Sequence, residues 1–149
     1  MLTIARAEAD SPDALALMAE LSSKLTEITG DSGAISFDVS EMQASNACFL
    51  LVRNFAGEAV GCGAFRWLAA NIAEIKRMYV RDAGKGTGGK LLRELENQAR
   101  QQGYRQLWLE TRRVNQHAVE FYLAQGYQVR ENYGRYRGNL LAVCFEKML

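Results

Sequence analysis

The strongest constraint on this chain is the stretch from Arg77 to Leu92. There the run Met78-Tyr79-Val80 gives way to a loop with glycines at positions 84, 86, 88 and 89, and then to a helical pattern. Glycine lets the backbone reach positive φ and lets N–H groups approach a ligand with no Cβ in the way. The first helical turn adds unpaired N–H donors and the positive end of the helix dipole. Strand, glycine loop and helix start together make an anion site, most often for phosphate. Lys85 and Lys90 add charge of the right sign.

Taken alone, the loop fits three templates, and it also serves as a plain turn. Gly84-x-Gly86-x-x-Gly89 matches the dinucleotide fingerprint, with Glu110 about 20 residues on as the ribose-binding acid. Gly84-x4-Gly89-Lys90 matches most of a P-loop, but Leu91 stands where a metal-holding Ser or Thr is needed. The third template is a glycine signature of the form [Gln/Arg]-x-x-Gly-x-[Gly/Ala]. Too little chain follows Glu110 for the further βα units of a dinucleotide fold.

The residues downstream favour the third template. Leu107-Trp108-Leu109-Glu110 is followed by Asn115, Ala118, Phe121-Tyr122 and Gly126-Tyr127, and Glu74-Ile75-Lys76-Arg77-Met78-Tyr79-Val80 precedes the loop. The combination resembles the GNAT superfamily of acyl-CoA N-acetyltransferases over roughly residues 47–147. One departure stands out. In the preferred frame, which keeps Leu91 and Leu92 on the apolar helix face, the expected Arg or Gln falls on Ala83, so the loop is shortened relative to the family; Arg81-x-x-Gly84-x-Gly86 restores the arginine but puts Gly89 where the helix wants Leu.

The resemblance implies an α/β fold with a central, twisted, mixed sheet and helices on both faces. It implies acetyl-CoA as co-substrate, an amine acceptor and direct transfer in a ternary complex. The alternative is a catalytically silent acyl-CoA-binding module that regulates a partner. By resemblance, the pyrophosphate falls to Gly84, Lys85, Gly86, Thr87, Gly88, Gly89 and Lys90. The pantetheine arm falls to the backbone of Met78, Tyr79 and Val80, with Asn115 nearby.

Acetyl transfer to an amine makes three demands. The ammonium, with pKa about 10.4, must lose its proton; an oxyanion needs a donor; and the departing thiolate needs a proton. Glu74, on the strand that carries a glutamate base in some members, is the candidate base. Strand alternation places it on the same face as Lys76, Met78 and Val80; its other reading is a carboxylate paired with Lys76 or Arg77. Tyr122 is the candidate acid, by resemblance and by its spacing of two helical turns from Asn115; its other reading is a core tyrosine. Asn115 is also a natural helix N-cap. Glu110 reads as an exposed strand-end acid and His117 as a surface residue. Tyr133, Arg135, Tyr136 and Arg137 crowd the last turn, where two arginines could receive an anionic group on the acceptor or face solvent.

Length and charge narrow the class. The 149 residues suggest one domain, 1–149, with a real core. A formal net charge of +1 gives no electrostatic case for nucleic acid. Three scattered cysteines lack metal-ligand spacing and suit reduced thiols in the cytoplasm. No metal, leader peptide or membrane span is expected, and a homodimer is compatible with the reading.

The remaining elements follow from local signals. Leu2–Ala7 reads as a strand. Ser11 caps a helix with Pro12 at its first position and an apolar face of Leu15, Met18, Leu21, Leu25 and Ile28. Residues 34–46 form a short helix or an ordered loop. Cys48–Arg53 and Glu58–Leu68 make a hairpin, and Ile72–Val80 is the strand entering the loop. A helix faced by Leu91, Leu92, Leu95 and Ala99 stops near Gly103. Then come a strand at Gln106–Glu110, a helix from Asn115 to about Gln125, and strands at Tyr127–Arg130 and Leu140–Glu146.

Overall fold

Residues 48–53 alternate Cys, Leu, Val with Phe, Leu, Arg, and nearly all of them are buried. An apolar strand buried on both sides belongs inside a sheet covered on both faces, with a neighbouring strand on each edge. The computed structural model, which describes residues 1–149, places it there. Seven strands form one sheet: β1 (Thr3–Arg6), β2 (Cys48–Arg53), β3 (Ala59–Ala69), β4 (Ile72–Val80), β5 (Gln106–Arg112), β6 (Gln128–Arg130) and β7 (Ala142–Met148). Their order is β1-β2-β3-β4-β5-β7-β6. Only β4 and β5 pair in parallel, joined by the crossover helix α2 (Thr87–Gln101).

The two faces have separate cores. On one, Leu50, Val52, Phe65, Ile75 and Leu109 pack with Leu91, Leu92, Leu95 and Ala99 of α2, and with Tyr122 of α3 (Gln116–Ala124). On the other, Phe49, Leu51, Cys62 and Ala64 pack with α1 (Pro12–Thr29). The buried face of α1 is Ala14, Leu17, Met18 and Leu21. Leu15 and Ile28, expected in that face, are 48% and 44% exposed; several registers of leucine satisfy the helical period, and contact with β2 and β3 selects one. Residues 34–43 hold two short 3₁₀ turns, Ala34–Ser36 and Val39–Gln43. No helix is long and apolar enough to cross a membrane.

A bulge in β4 decides which side chains face which side of the sheet. Ala64 pairs with Lys76 and Cys62 with Tyr79, so Arg77 and Met78 together oppose Gly63. Arg77 takes a left-handed φ of 55°, and one extra residue reverses the alternation beyond it. Lys76 reaches Tyr136, Arg77 reaches α1, and Tyr79 packs in the α1 core, whereas Ile75, Met78 and Val80 pack toward α2. The expectation that Glu74 and Met78 share a face is therefore corrected: they point to opposite sides of the sheet. A Cβ on Gly63 would come within 2.7 Å of Met78 Sδ and 3.0 Å of Leu95 Cδ1, so a larger residue would force those side chains to shift.

Candidate active site

The loop after β4 ends in a helix with no side-chain cap. Gly86 is the N-cap residue of α2, at φ 78°. By contrast, Ser11 accepts from Ala14 N in α1 and Asn115 accepts from Ala118 N in α3. The first amides of α2, at Thr87, Gly88 and Gly89, precede the first helical bond, Lys90 N to Gly86 O. They are orphan donors at the positive end of a 15-residue helix. A Cβ at Gly84 or Gly86 would meet open space, so the surface there is free to take a ligand. Lys85 and Lys90 are exposed beside it. Leu91, Leu92, Leu95 and Ala99 are fully buried, as the frame with Ala83 in the arginine position requires.

Gly88 and Gly89 have a second reason to be glycine. A Cβ on Gly88 would sit 3.3 Å from the Phe121 ring, and one on Gly89 3.3 Å from the Gln125 side chain. These two residues let α3 lie against the start of α2. The glycine pattern thus combines a ligand surface at Gly84 and Gly86 with helix packing at Gly88 and Gly89.

Beyond the loop the sheet opens. β4 and β5 pair only through Ile72 with Gln106, Ala73 with Leu107 and Glu74 with Trp108. β4 continues to Val80 and β5 to Arg112 without each other, so past Glu74 the β5-facing edge of β4, including Met78, Tyr79 and Val80, has no strand partner. An extended chain that offers amide groups can pair with such an edge. Tyr122 lies in the same apolar cluster as Ile75 and Leu109, which flank this opening. Its ring packs edge-on to Phe121 and Tyr127 and tilted to Phe145. Burial holds its phenol protonated, well above the ordinary tyrosine range.

The tyrosine hydroxyls separate into two groups. Tyr79 donates to Glu20, Tyr104 to the Asn46 carbonyl, Tyr127 to Glu96 and Tyr133 to Glu74, while Tyr136 accepts from Lys76. Of the six tyrosines, Tyr122 alone has its hydroxyl uncommitted to any partner in the chain, and that oxygen is not among the sealed polar atoms. A buried ring with a free, protonated hydroxyl is a donor in waiting.

Glu74 is placed differently from the expectation. It is 2% exposed. Its Oε1 accepts from Arg66 Nη2 at 3.0 Å and Nε at 3.2 Å, and its Oε2 accepts from the Tyr133 hydroxyl at 2.6 Å. Lys76 Nζ stands 3.9 Å from the same Oε2. Both oxygens are committed to protein donors, so this carboxylate is the hub of a buried network. Arg66 extends the network to Glu41 at 2.6 Å and so ties the 39–43 turn to the sheet.

The uncommitted carboxylate is Glu110. Its side chain is 11% exposed, which corrects the expectation of an exposed strand-end acid. The β5–β7 pairing of Glu110 with Cys144 sets it on the side of the sheet that holds Tyr133 and Tyr136. Its Oε2 is buried without a hydrogen-bond partner, as is Nη1 of Arg112, 3.6 Å away. Burial raises its pKa above the usual carboxylate range, against the opposing pull of Arg112 and Lys76. Burial in turn lowers the pKa of Lys76, which Glu74 opposes. Glu110 lines a cavity of about 270 Å³ between the end of α1, the 34–36 turn, β5 and the last turn. The sequence signal that could have found it is its place two residues beyond Trp108, the last residue of β5 paired to β4.

Asn115 and His117 fall where their simpler readings put them, whereas the tyrosines of the last turn are not solvated. Asn115 caps α3, and His117 is exposed. Tyr133 and Tyr136 are buried in the Glu74–Lys76 network. Arg135 lines the cavity beside Glu110, and Arg137 is exposed outside its lining.

Comparison with known proteins shows the family and the fold. The family model described as Acetyltransferase (GNAT) family matches residues 15–127. An "IAA acetyltransferase" of Azospirillum brasilense is 30% identical, covering 99% of this chain and 98% of its own. A structure from Klebsiella pneumoniae, assigned to the acyl-CoA N-acyltransferases, is 31% identical with a TM-score of 0.85, covering 100% of this chain and 98% of its own. The PaiA N-acetyltransferase of Thermoplasma acidophilum, solved in complex with coenzyme A, shares the fold at 18% identity. Its TM-score is 0.76, and the match covers 100% of this chain and 99% of that one.

Proposed function

The chain belongs to the GNAT family of acetyltransferases, and from that premise we propose that it moves an acetyl group from acetyl-CoA to a primary amine by direct transfer. The observation that carries this reading is the opening between β4 and β5. It has orphan helix amides at one end, an unpaired strand edge along its side, a free tyrosine hydroxyl on one face and an uncommitted carboxylate on the other. The name of the Azospirillum relative supports acetyl as the group moved.

The residues present fit coenzyme A. The amides of Thr87 to Gly89, with Lys85 and Lys90 outside them, would hold its pyrophosphate. The free edge of β4 at Met78 to Val80 would pair with its amide-bearing arm. Bound there, it supplies an acetyl thioester.

The proton steps fall to two residues. Glu110 lines the cavity with a raised pKa and, through Oε1, which is neither sealed nor hydrogen-bonded within the chain, takes the proton from the entering ammonium, directly or through a water. We assign this role to Glu110 in place of Glu74, whose oxygens are both taken; Glu74 instead holds Lys76 and Tyr133 in position. The Tyr122 hydroxyl gives a hydrogen bond or proton to the departing sulfur. The cysteines fit no acetyl-enzyme route. All three are buried, and burial raises the thiols of Cys48 to about 11 and of Cys62 to about 12, with Cys144 also raised. At neutral pH they are thiols, poor nucleophiles.

The test is acetyl-CoA turnover against a panel of amines, with product identified by mass. Transfer to an amine, faster than hydrolysis, is the expected result. Tight acetyl-CoA binding with no transfer to any amine would point to the regulatory module instead.

A further inference from the structure

The cavity beside Glu110 carries both signs of charge in a small space. Arg112 and Arg135 line it together with Glu110 and Asp31. Its volume of about 270 Å³ lies below the roughly 300–1,000 Å³ typical of pockets for drug-sized ligands. Groups on opposite walls therefore reach the same small molecule.

Arg135 is not neutralised within the chain, and Arg112 is held only loosely between two carboxylates. Arg135 has no carboxylate partner; its one hydrogen bond is a long one, 3.5 Å, to the Ile35 carbonyl. Arg112 has Glu110 at 3.6 Å and Asp31 at 3.9 Å, both beyond hydrogen-bond length, and its Nη1 is buried without a partner. Lys76, bound to Tyr136 behind the cavity wall, is already faced by Glu74 at 3.9 Å, so Arg135 is the cation left to an incoming anion. A simple alkyl ammonium entering here would meet Glu110 favourably and Arg135 unfavourably. A molecule with an ammonium at one end and a carboxylate at the other would satisfy both. Arginine suits the second task, because its planar donors match a carboxylate in pairs.

We propose that the acceptor is a free amino acid or a similarly small amine bearing a carboxylate near its reacting nitrogen, with Arg135 as the main carboxylate receptor and Arg112 beside it. This rests on the acetyl-transfer reading above. The amine lies at Glu110, and the carboxylate lies toward the last turn. The same arrangement disfavours peptide and protein lysines, whose carbonyl is an amide, and simple polyamines, which carry no anion.

The experiment compares matched acceptors with acetyl-CoA: common amino acids, their amides, their decarboxylated amines, and aminoalkylphosphonates of matched length. In at least one matched set the acid is expected to exceed the amide and the amine in kcat/KM by about tenfold to a hundredfold, the range for a charged hydrogen bond. The difference should lie mainly in KM. Arg135→Gln should shrink that ratio toward one, and Arg135→Lys should restore part of it. Amides or simple amines that match or beat the acids in every set would overturn the carboxylate assignment alone. Phosphonates preferred over carboxylates would overturn it too, in favour of a phosphate-bearing acceptor. An undiminished ratio in Arg135→Gln would remove Arg135 from the role. No transfer to any amine, with acetyl-CoA binding intact, would overturn the acetyl-transfer reading and this one together.

Discussion

Glu110 Oε2 and Arg112 Nη1 stand 3.6 Å apart at the end of β5, both buried and neither hydrogen-bonded. The pair is too far apart to satisfy itself and too enclosed to be solvated freely. Such an arrangement costs stability in the empty protein. The other oxygen, Oε1, is not sealed and has no hydrogen bond within the chain, and Glu110 lines the cavity, so Oε1 is the one open to an incoming donor.

The first prediction concerns this carboxylate. Glu110→Gln should lower kcat by about 10²–10⁴-fold, the usual worth of general acid–base catalysis. The acidic limb of the pH–rate profile, set above the ordinary glutamate range because burial raises the pKa, should flatten in the variant. Unchanged turnover with an unchanged profile would return the proton to another path.

Stability should respond to pH at the same residue. A carboxyl whose folded-state pKa is raised binds its proton more tightly folded than unfolded. Its favourable contribution is present below the unfolded pKa and is lost as pH rises through the folded one. Glu110→Gln should therefore melt higher than wild type at neutral pH, with the gain shrinking as the solution is made acidic. Thermal melts of both proteins across that range check the sign.

Glu74 should behave in the opposite way. Its removal leaves Lys76, with an 8% exposed side chain, and Arg66 without their shared carboxylate. Glu74→Gln should cost roughly 3–5 kcal/mol, as breaking a buried ion pair from one side does. Chemical denaturation measures this directly. A Glu74→Gln protein of wild-type stability and no activity would make Glu74 the base after all.

Two tyrosines make a matched test. Tyr122→Phe removes a hydroxyl that has no partner in the chain, so its stability should stay near wild type while the chemical step slows by about 10²–10⁴-fold. Tyr133→Phe removes the donor to Glu74 Oε2 and should cost about 1–3 kcal/mol, because it leaves a buried acceptor unpaired. Single-turnover rates and unfolding curves on both variants separate the donor from the structural hydroxyl.

The glycine loop should also divide. Gly88→Val would press on Phe121, 3.3 Å from the added Cβ, and should lower the melting temperature and CoA affinity together. Gly86→Ala meets no atom, but its φ of 78° opposes a side chain; it should cost roughly 1–2 kcal/mol and weaken CoA binding at the helix start. Calorimetric titration with CoA, alongside thermal melts, distinguishes the two.

The sequence alone determined the elements and the glycine loop that opens onto a helix start. Period and punctuation are local signals, so Cys48–Arg53 and Ile72–Val80 are legible with the bounds they have. Ser11, Asn115 and the glycines after Val80 act on their own backbones, and their roles at helix ends are legible for the same reason. What lies opposite each residue in space was decided by the tertiary structure. The bulge sets Arg77 and Met78 against Gly63 on β3, with the Arg77 side chain held by the Met18 carbonyl and Ser22 of α1. That single offset turns Glu74 away from Met78. Burial then divides the carboxylates, since Arg66 and Tyr133 converge on Glu74 from distant parts of the chain, whereas Glu110 is enclosed without a donor in reach. Alternation along a strand carries no information about such long-range partners. It is the supply of partners, and not the glutamate itself, that leaves one carboxylate fully hydrogen-bonded and the other without a hydrogen bond.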